Sequence, residues 1–138
     1  MQGAGVLFVC YGNACRSILA EALARHYWGT GVRIASAGIM PLGYVTPDTL
    51  QVLEEAGIPS VGLYSKGLKD VDLSAYQTIV NLTDMRIEEF LSSSFTGRIL
   101  PCYIPDHFGR GVEAFRRARD EIAELLKQRV PRLAGLEI

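Results

Sequence analysis

The sequence contains few of the residues that build disulfide frameworks or metal centres. Its 138 residues include three cysteines and two histidines. Three cysteines are too few and wrongly spaced for a disulfide framework, and this favours a reducing, cytoplasmic setting. The histidines, His26 and His107, lie far apart, and neither pairs with a cysteine at a metal-ligand spacing. We therefore expect no metal site.

The sequence also lacks an excess of positive charge and any long apolar segment. Fourteen Lys and Arg residues stand against fifteen Asp and Glu residues, which gives a formal net charge of −1. This balance excludes the basic surface that binds a nucleic acid or an anionic membrane. The first residues include only a short apolar run without a cationic start, so neither export nor a membrane span is expected.

Length and apolar content predict one folded domain. The chain is 49% hydrophobic, and its 138 residues are enough to bury a core of their own. Repeats and low-complexity segments are not visible. We therefore expect a single domain over residues 1–138.

Alternating apolar segments predict an α/β fold. The predicted strands lie at 6–9, 32–37, 77–82 and 97–103. The predicted helices lie at 17–27, 46–57, 66–72, from Asp84 onward, and at 112–128. Because strands and helices alternate, we predict a four-stranded parallel sheet with helices on both faces, a three-layer α/β/α domain. Ligands of such sheets bind at the carboxyl ends of the strands, which is where Cys10 lies.

One short segment, residues 6–17, joins a strand end, a tight polar loop and a helix start. Backbone N–H groups and the positive end of a helix dipole then point at one place, which favours a bound anion. Cys10 lies at the rim of this loop. Arg16 follows six residues later, and its planar guanidinium can bind two phosphoryl oxygens at once.

The remaining loop residues fit the same chemistry. Gly12 and Asn13 tolerate the left-handed backbone that a concave nest of N–H groups requires. Ser17 stands at the helix start, where its hydroxyl can donate a hydrogen bond to the Cys10 sulfur. A helix N-terminus and nearby cations lower the pKa of a thiol, so the pattern predicts a thiolate beneath a bound oxyanion.

The alternative is a buried structural cysteine beside a solvated arginine. For Cys10 alone that interpretation would be preferred, because free cysteine usually packs as a small hydrophobe. The Cys-x5-Arg-Ser spacing between a strand and a helix favours the functional interpretation. A Walker-type nucleotide loop is excluded, since no Gly-Lys-Ser/Thr follows the glycine.

The loop closely resembles the active-site loop of the low-molecular-weight protein tyrosine phosphatases, Cys-x-Gly-Asn-x-Cys-Arg-Ser after an apolar strand. In this sequence it reads Cys10-Tyr11-Gly12-Asn13-Ala14-Cys15-Arg16-Ser17, with every fixed position filled. The resemblance implies that Cys10 is the nucleophile and that residues 11–17 bind phosphate. Weaker matches are the Ser-Ala-Gly after the second strand, Lys66 in Ser-Lys-Gly-Leu, and Asp84 after the third strand.

A second candidate site residue follows the fourth strand, in the segment Tyr103 to Gly109. Release of an alkoxide or phenoxide from a phosphate ester needs an acid that protonates it, and Asp106 is the candidate. On its own, Asp106 would be interpreted as a loop aspartate that caps the last helix. The resemblance implies instead that Asp106 is the general acid and Phe108 the aromatic wall of the pocket. Tyr11 and Leu42 are expected at the mouth, where a phenyl ring can pack.

Three positions depart from the family pattern. His107 replaces the usual proline, so we expect a less rigid acid loop. Leu63 takes the place of a histidine that braces the loop asparagine in several relatives, so Asn13 must be held another way. Phe108 also lacks the phenolic hydroxyl common in the tyrosine-specific members.

The resemblance implies a two-step hydrolysis without metal or cofactor. Cys10 attacks phosphorus while Arg16 and loop amides stabilise the equatorial oxygens, and Asp106 protonates the leaving group. Asp106 then activates the water that hydrolyses the phosphocysteine. The expected substrate is a phosphorylated protein, with phosphotyrosine first. Phosphoarginine is close behind. Ala14 stands where tyrosine phosphatases tend to carry a larger aliphatic residue and arginine phosphatases of the family carry threonine, and the Asp-x-Phe-Gly form of the acid loop looks like the arginine-specific relatives.

Two other function classes remain as alternatives. The related arsenate reductases need further cysteines just after the third strand, and residues 81–86 contain none. Cys102 is the one spare thiol outside the loop, and burial is expected for it. A non-catalytic phosphoprotein-binding module would have lost the nucleophile, the arginine or the acid, and all three are present.

Cys15 has two interpretations. It is either a small packed residue or the partner of Cys10 in a reversible disulfide that protects the nucleophile from irreversible oxidation. The resemblance favours the disulfide as a regulatory state.

Overall fold

Four parallel strands form one sheet at the centre of the computed structural model, which describes residues 4–136. The strands are β1 (Gly5–Cys10), β2 (Arg33–Gly38), β3 (Thr78–Asn81) and β4 (Arg98–Pro101). Their order is β2-β1-β3-β4, and every neighbouring pair is parallel. The predicted four-stranded parallel sheet is confirmed. The outermost residues of the predicted domain, 1–3 and 137–138, lie outside the described residues.

The central strand β1 is buried along its whole length. Its apolar side chains alternate between the two faces of the sheet, because successive residues of a strand point to opposite sides. Val6 and Phe8 pack in the larger hydrophobic cluster, and Leu7 and Val9 pack in the smaller one. A continuous apolar run at the centre of a parallel sheet is the pattern expected when both faces are covered.

One face of the sheet is covered by regular helices. These are α1 (Arg16–Trp28), α2 (Pro47–Glu55), α3 (Val112–Glu124) and α4 (Val130–Ala134). Thr46 caps α2 and accepts a hydrogen bond from the Thr49 N–H, and Pro47 occupies the first turn, as the sequence predicts. Phe115, Ala118 and Ile122 form the buried side of α3, also as predicted.

The last helix is longer than α3 alone. It continues through a π-helical turn, Leu125–Arg129, into α4. Pro131 has no N–H with which to continue the ordinary helical hydrogen bonds, and a π turn is one way in which a helix accommodates such a gap.

The other face is covered by loops and single 3₁₀ turns. Turns at Leu68–Asp70 and Leu73–Ala75 lie close to the short helix predicted at 66–72. The predicted helix from Asp84 is wrong, since only Glu88–Phe90 forms one 3₁₀ turn. Side chains compete with helix formation there: Asn81 accepts the Thr83 N–H at 2.9 Å, and Thr83 accepts the Met85 N–H at 3.0 Å. No helix in residues 4–136 is long and apolar enough to cross a membrane.

Candidate active site

A cavity of about 190 Å³ opens at the carboxyl end of β1. Six of the seven residues from Cys10 to Arg16 line it, together with Met40, Leu42, Asp106 and Phe108. The structure therefore brings together the predicted nucleophile, arginine, acid and pocket residues, although they come from three separate segments. Met40 was not predicted, because an isolated apolar loop residue carries no signal of its own.

We call residues 10–17, between β1 and α1, the cysteine loop. Its carbonyl oxygens accept hydrogen bonds from backbone N–H groups of the segment that follows β2. The pairs are Met40 to Tyr11 at 2.9 Å, Leu42 to Gly12 at 2.8 Å, and Thr46 to Ala14 at 3.2 Å. The N–H groups of residues 11–15 donate to no other group within residues 4–136, and no side chain there caps the N-terminus of α1. These donors are therefore available to an anion.

Asn13 has a φ of 47° and is the one non-glycine residue with a positive φ in residues 4–136. The expectation that Gly12 shares this left-handed conformation is wrong, because its φ is not positive. The asparagine makes the turn alone. Its short amide side chain can compensate for the unfavourable backbone through hydrogen bonds.

Three groups hold the Asn13 side chain, which is fully buried. Its Nδ2 donates to Ser17 Oγ at 2.7 Å and to Ser36 Oγ at 2.9 Å, and its Oδ1 accepts from the Lys66 N–H at 2.8 Å. Leu63 instead packs against the larger hydrophobic cluster. The missing histidine is thus replaced by a serine of β2 and a backbone amide. Ser36 and Lys66 occur in two of the three weaker sequence matches, but sequence alone gave neither a role.

The Cys10 sulfur lies 2.8 Å from Ser17 Oγ, and both residues are buried. Ser17 Oγ already accepts a hydrogen bond from Asn13, so its own proton is free to point at the sulfur. A hydroxyl that donates to sulfur stabilises the thiolate form. The predicted contact between Ser17 and Cys10 is confirmed.

Arg16 is 6% exposed and is anchored on the ends of two strands. Its Nη1 donates to the carbonyl oxygens of Leu82, at 3.2 Å, and Ile104, at 2.9 Å. These two bonds fix the guanidinium plane. In the described part of the chain, the other guanidinium N–H groups have no hydrogen-bond partner, which leaves them free for a ligand in the cavity.

The acid loop, residues 103–109, places Asp106 at the cavity and exposes it to solvent. Asp106 Oδ1 accepts the Phe108 N–H at 3.0 Å, and this bond fixes the turn around the carboxylate. His107 is partly buried, and its Nδ1 has no hydrogen-bond partner among residues 4–136. Burial lowers the pKa of His107.

All three cysteines are free and buried. Cys15 Sγ lies 3.6 Å from Thr46 Oγ1, and burial raises the pKa of its thiol. Cys102 is 2% exposed, as expected, and burial raises its pKa as well. Within residues 4–136, no group of three or more His, Cys, Asp or Glu side chains could hold a metal ion.

Known proteins resemble this chain over nearly its whole length. A protein-arginine-phosphatase of Bacillus subtilis (strain 168) is 30% identical over 141 aligned residues, which cover 89% of this chain and 92% of that protein. An arsenate reductase of Bacillus cereus (strain AH187) is 29% identical, with coverage of 89% and 91%. The solved tyrosine phosphatase Wzb from Escherichia coli K30, in complex with sulphate, has the same fold, with a TM-score of 0.80 at 21% identity and coverage of 94% and 97%.

The family assignment follows from the extent of the match. The model of the Low molecular weight phosphotyrosine protein phosphatase family matches residues 5–135, which include all four strands and the cysteine loop. The chain therefore belongs to the low molecular weight phosphotyrosine protein phosphatase family, a family of cysteine-based phosphatases.

Proposed function

We propose that the protein hydrolyses phosphotyrosine in protein substrates through a phosphocysteine intermediate on Cys10. The proposal rests on one observation: four groups lie together at one cavity. The Cys10 thiol, the Arg16 guanidinium and unpaired loop N–H groups lie beside the Asp106 carboxyl at the mouth. A nucleophile, an oxyanion cradle and an acid are the parts that phosphoryl transfer to a thiol requires.

In the first step, the Cys10 thiolate attacks phosphorus and the bond from phosphorus to the tyrosine oxygen breaks. The loop N–H groups and Arg16 stabilise the charge on the three equatorial oxygens. The proton of the Asp106 carboxyl goes to the leaving phenoxide, which departs as a neutral phenol. Ser17 holds the thiolate in place before the attack.

In the second step, water attacks the phosphocysteine. The Asp106 carboxylate accepts a proton from that water, and the sulfur–phosphorus bond breaks to give phosphate and the Cys10 thiolate. The same carboxyl group thus serves as acid and then as base. The two steps balance without a metal or a cofactor.

The apolar mouth of the cavity supports an aryl substrate. Tyr11 is 46% exposed, Leu42 43% and Phe108 51%, so three large side chains can pack against a ring. A dry cavity of about 150 Å³ can hold benzene, so a cavity of about 190 Å³ has room for one ring. We also propose a cytoplasmic location, because a reducing compartment keeps the Cys10 thiol available.

Phosphoarginine is the second candidate substrate. A relative named as a protein-arginine-phosphatase is 30% identical to this chain over 89% of its length. The chain also has Phe108 two residues after Asp106, in the Asp-x-Phe-Gly form that resembles the arginine-specific relatives, and Ala14 is smaller than the aliphatic residue typical of tyrosine phosphatases. Asp106 could accept a hydrogen bond from the guanidinium of the substrate as well as protonate it.

Arsenate reduction and simple phosphoprotein binding are less well supported. The segment that follows β3, residues 82–101, contains no cysteine to accept electrons from Cys10. Cys102 is buried, and its raised pKa disfavours the thiolate that disulfide exchange needs. A binding module would not need Asp106 at the cavity.

The test is phosphate release from phosphotyrosine and phosphoarginine peptides of the same sequence, offered separately to the wild type and to Cys10→Ser. We expect release from the phosphotyrosine peptide, and none with Cys10→Ser or Arg16→Ala. Cys102→Ser is the matched control, since it removes a buried thiol that does not line the cavity, and it should retain activity. Faster release from the phosphoarginine peptide would make phosphoarginine, and not phosphotyrosine, the preferred substrate. No Cys10-dependent release from either peptide would overturn the proposal.

A further inference from the structure

We propose that His107 is a positioning residue for Asp106: its neutral imidazole anchors the acid loop and so holds the Asp106 carboxyl at the cavity. The proposal rests on the proposed function, because it assigns a role in proton transfer to the leaving group. His107 does not line the cavity itself. Its effect on the reaction therefore passes through the aspartate beside it.

His107 is the one anchored side chain between Ile104 and α3. Ile104 is fully buried, and α3 begins at Val112. Of the seven residues 105–111, six are exposed and only His107 is partly buried. A segment without buried side chains opens at little cost, because few contacts resist its movement. The position of Asp106 therefore depends on the side chain that follows it.

Hydrogen bonds do not tie residues 105–111 to the sheet. Asp106 Oδ1 accepts the Phe108 N–H, and the His107 carbonyl oxygen accepts the Arg110 N–H at 3.0 Å. The other bonds of this segment run into the first turn of α3. Within residues 4–136, the segment makes no hydrogen bond with any other element. The His107 ring thus supplies the burial that the rest of the segment lacks.

The family pattern has a proline at this position, and proline restrains a loop in a different way. It fixes its own φ and restricts the residue before it, so it stiffens the backbone beside the aspartate. Histidine leaves the backbone free and must hold the loop through its side chain. Unlike proline, this anchor can gain a proton.

Protonation of the ring opposes its burial. Nδ1 of His107 is buried and has no hydrogen-bond partner among residues 4–136. We place the proton of the neutral ring on Nε2, since a proton on Nδ1 would be buried without an acceptor. The protonated ring carries both protons, so burial lowers the pKa of His107. A second proton should therefore release the ring, and the acid loop with it.

Charged groups from three elements face the ring. Glu121 and Asp106 favour its protonated form, whereas Arg117 and Arg16 disfavour it. Glu121 and Arg117 lie one turn apart on α3, Arg16 begins α1, and Asp106 belongs to the acid loop. These influences oppose one another, and burial is larger than each of them. The neutral ring is therefore the anchored form at pH 7.

The test compares two phosphate esters that differ in their need for an acid. Phenoxide leaves phenyl phosphate with the help of a proton, whereas nitrophenolate leaves p-nitrophenyl phosphate without one. The ester ratio, kcat/KM for phenyl phosphate divided by kcat/KM for p-nitrophenyl phosphate, therefore reports proton donation by Asp106 in the first step. The ionisation of Cys10 affects both esters equally and cancels in this ratio.

Two variants separate the anchor from its proton. His107→Ala removes the ring, and His107→Phe keeps a ring that cannot be protonated. At pH 7, we expect the ester ratio to fall about tenfold in His107→Ala and to stay within about twofold of the wild type in His107→Phe. Between pH 7 and pH 5, the ratio should fall about fivefold in the wild type relative to His107→Phe.

Arg110→Ala is the matched control. It changes an exposed residue of the same segment and leaves His107 in place, so its ester ratio should match that of the wild type at both pH values. Equal losses with both esters in His107→Ala would show a general disturbance of the site and would overturn the proposal. The same pH dependence of the ratio in the wild type and in His107→Phe would also overturn it.

Limited proteolysis provides a readout that needs no turnover. Trypsin cleaves after Arg110, which is exposed in the anchored segment. At pH 7.5, we expect this cleavage to be about tenfold faster in His107→Ala than in the wild type or His107→Phe, with the fragments identified by mass. Equal rates would contradict an anchor at His107. If the wild type releases no phosphate from either ester, the proposed function fails, whereas the rate of cleavage still decides whether His107 holds the loop.

Discussion

At the scale of single residues, Asn13 combines an unusual backbone with the largest set of buried hydrogen bonds in the cysteine loop. Its φ of 47° is a conformation in which most side chains are strained. Its amide contacts Ser17, Ser36 and the Lys66 backbone. Backbone geometry and side-chain contacts therefore make separable contributions, and two substitutions can distinguish them.

Asn13→Gly keeps the backbone conformation and loses the three hydrogen bonds, whereas Asn13→Ala loses the bonds and strains the backbone. We expect Asn13→Ala to be less stable than Asn13→Gly by about 1 kcal/mol, because a left-handed conformation costs about that much when a Cβ is present. Both should lower kcat near pH 6 by about tenfold, through the lost support of Ser17. Urea denaturation and steady-state kinetics measure the two effects. Equal stability of the two variants would contradict the strain argument.

His107 gives a prediction about pH. Its burial lowers its pKa in the folded protein below the ordinary value of 6.5. Glu121 and Asp106 partly oppose this shift, and Arg117 and Arg16 add to it. The unfolded chain therefore takes up the proton first as the pH falls below about 6.5, so the folded state loses stability through that range.

His107→Gln should remove this part of the pH dependence. The melting temperature of the wild type should fall more between about pH 7.5 and pH 5.5 than that of the variant. Differential scanning calorimetry of both proteins measures the difference. An equal fall in the melting temperatures of the two proteins would show that other groups cause the loss of stability at low pH.

At the scale of elements, the end of β2 supports the cysteine loop directly. A Cβ added to Gly38 would lie 2.8 Å from the Asn13 N and 2.8 Å from the Tyr11 O, so the backbone of the loop would have to move. Small backbone shifts at a catalytic loop disturb the alignment of the reacting groups. The absence of a side chain at Gly38 therefore lets the end of β2 pack directly against the backbone of the cysteine loop.

Gly38→Ala should therefore lower kcat/KM by about a hundredfold, since misplacement by about 1 Å can have an effect of that size. Gly31→Ala is the control, because a Cβ there meets nothing within 4 Å. Steady-state kinetics on both variants, with circular dichroism to confirm folding, provide the test. Full activity in Gly38→Ala would show that the loop tolerates displacement.

Local and non-local elements differed in how well they could be predicted. Four strands, the Thr46 cap and the cysteine loop were predictable, because each depends on residues close together in the sequence. The helix from Asp84 was not, since Asn81 and Thr83 bind the local backbone and apolar content gives no sign of this. The contacts of the Asn13 amide with Ser36 and the Lys66 backbone were also hidden, because they join segments that lie far apart in the sequence.

At the scale of the whole molecule, the site depends on a sheet that is buried on both faces. The larger hydrophobic cluster joins β1 to α1, α2 and α3. Phe8 packs against Trp28 at 5.9 Å between ring centroids, and Trp28 Nε1 donates to the Leu126 carbonyl oxygen at 2.8 Å. This packing fixes the first and last helices on the strand that ends in Cys10.

Phe115→Ala should lower the free energy of unfolding by about 3 to 5 kcal/mol, because it leaves a large cavity in the core. Phe115 is 1% exposed. Leu133→Ala, at a residue that is 42% exposed, should change stability by less than about 0.5 kcal/mol. Chemical denaturation measures both. Similar losses in the two variants would contradict the placement of Phe115 in the core.

The central claim is that Cys10 forms a covalent bond to phosphorus. The most direct measurement is acid quenching of a reaction with ³²P-labelled p-nitrophenyl phosphate, followed by peptide mapping. Nitrophenolate leaves without a proton, so Asp106→Ala should complete the first step and stall in the second, with label accumulating on the peptide that contains Cys10. Cys10→Ser should carry no label. Phosphate release without label on Cys10, or label that persists in Cys10→Ser, would contradict the account.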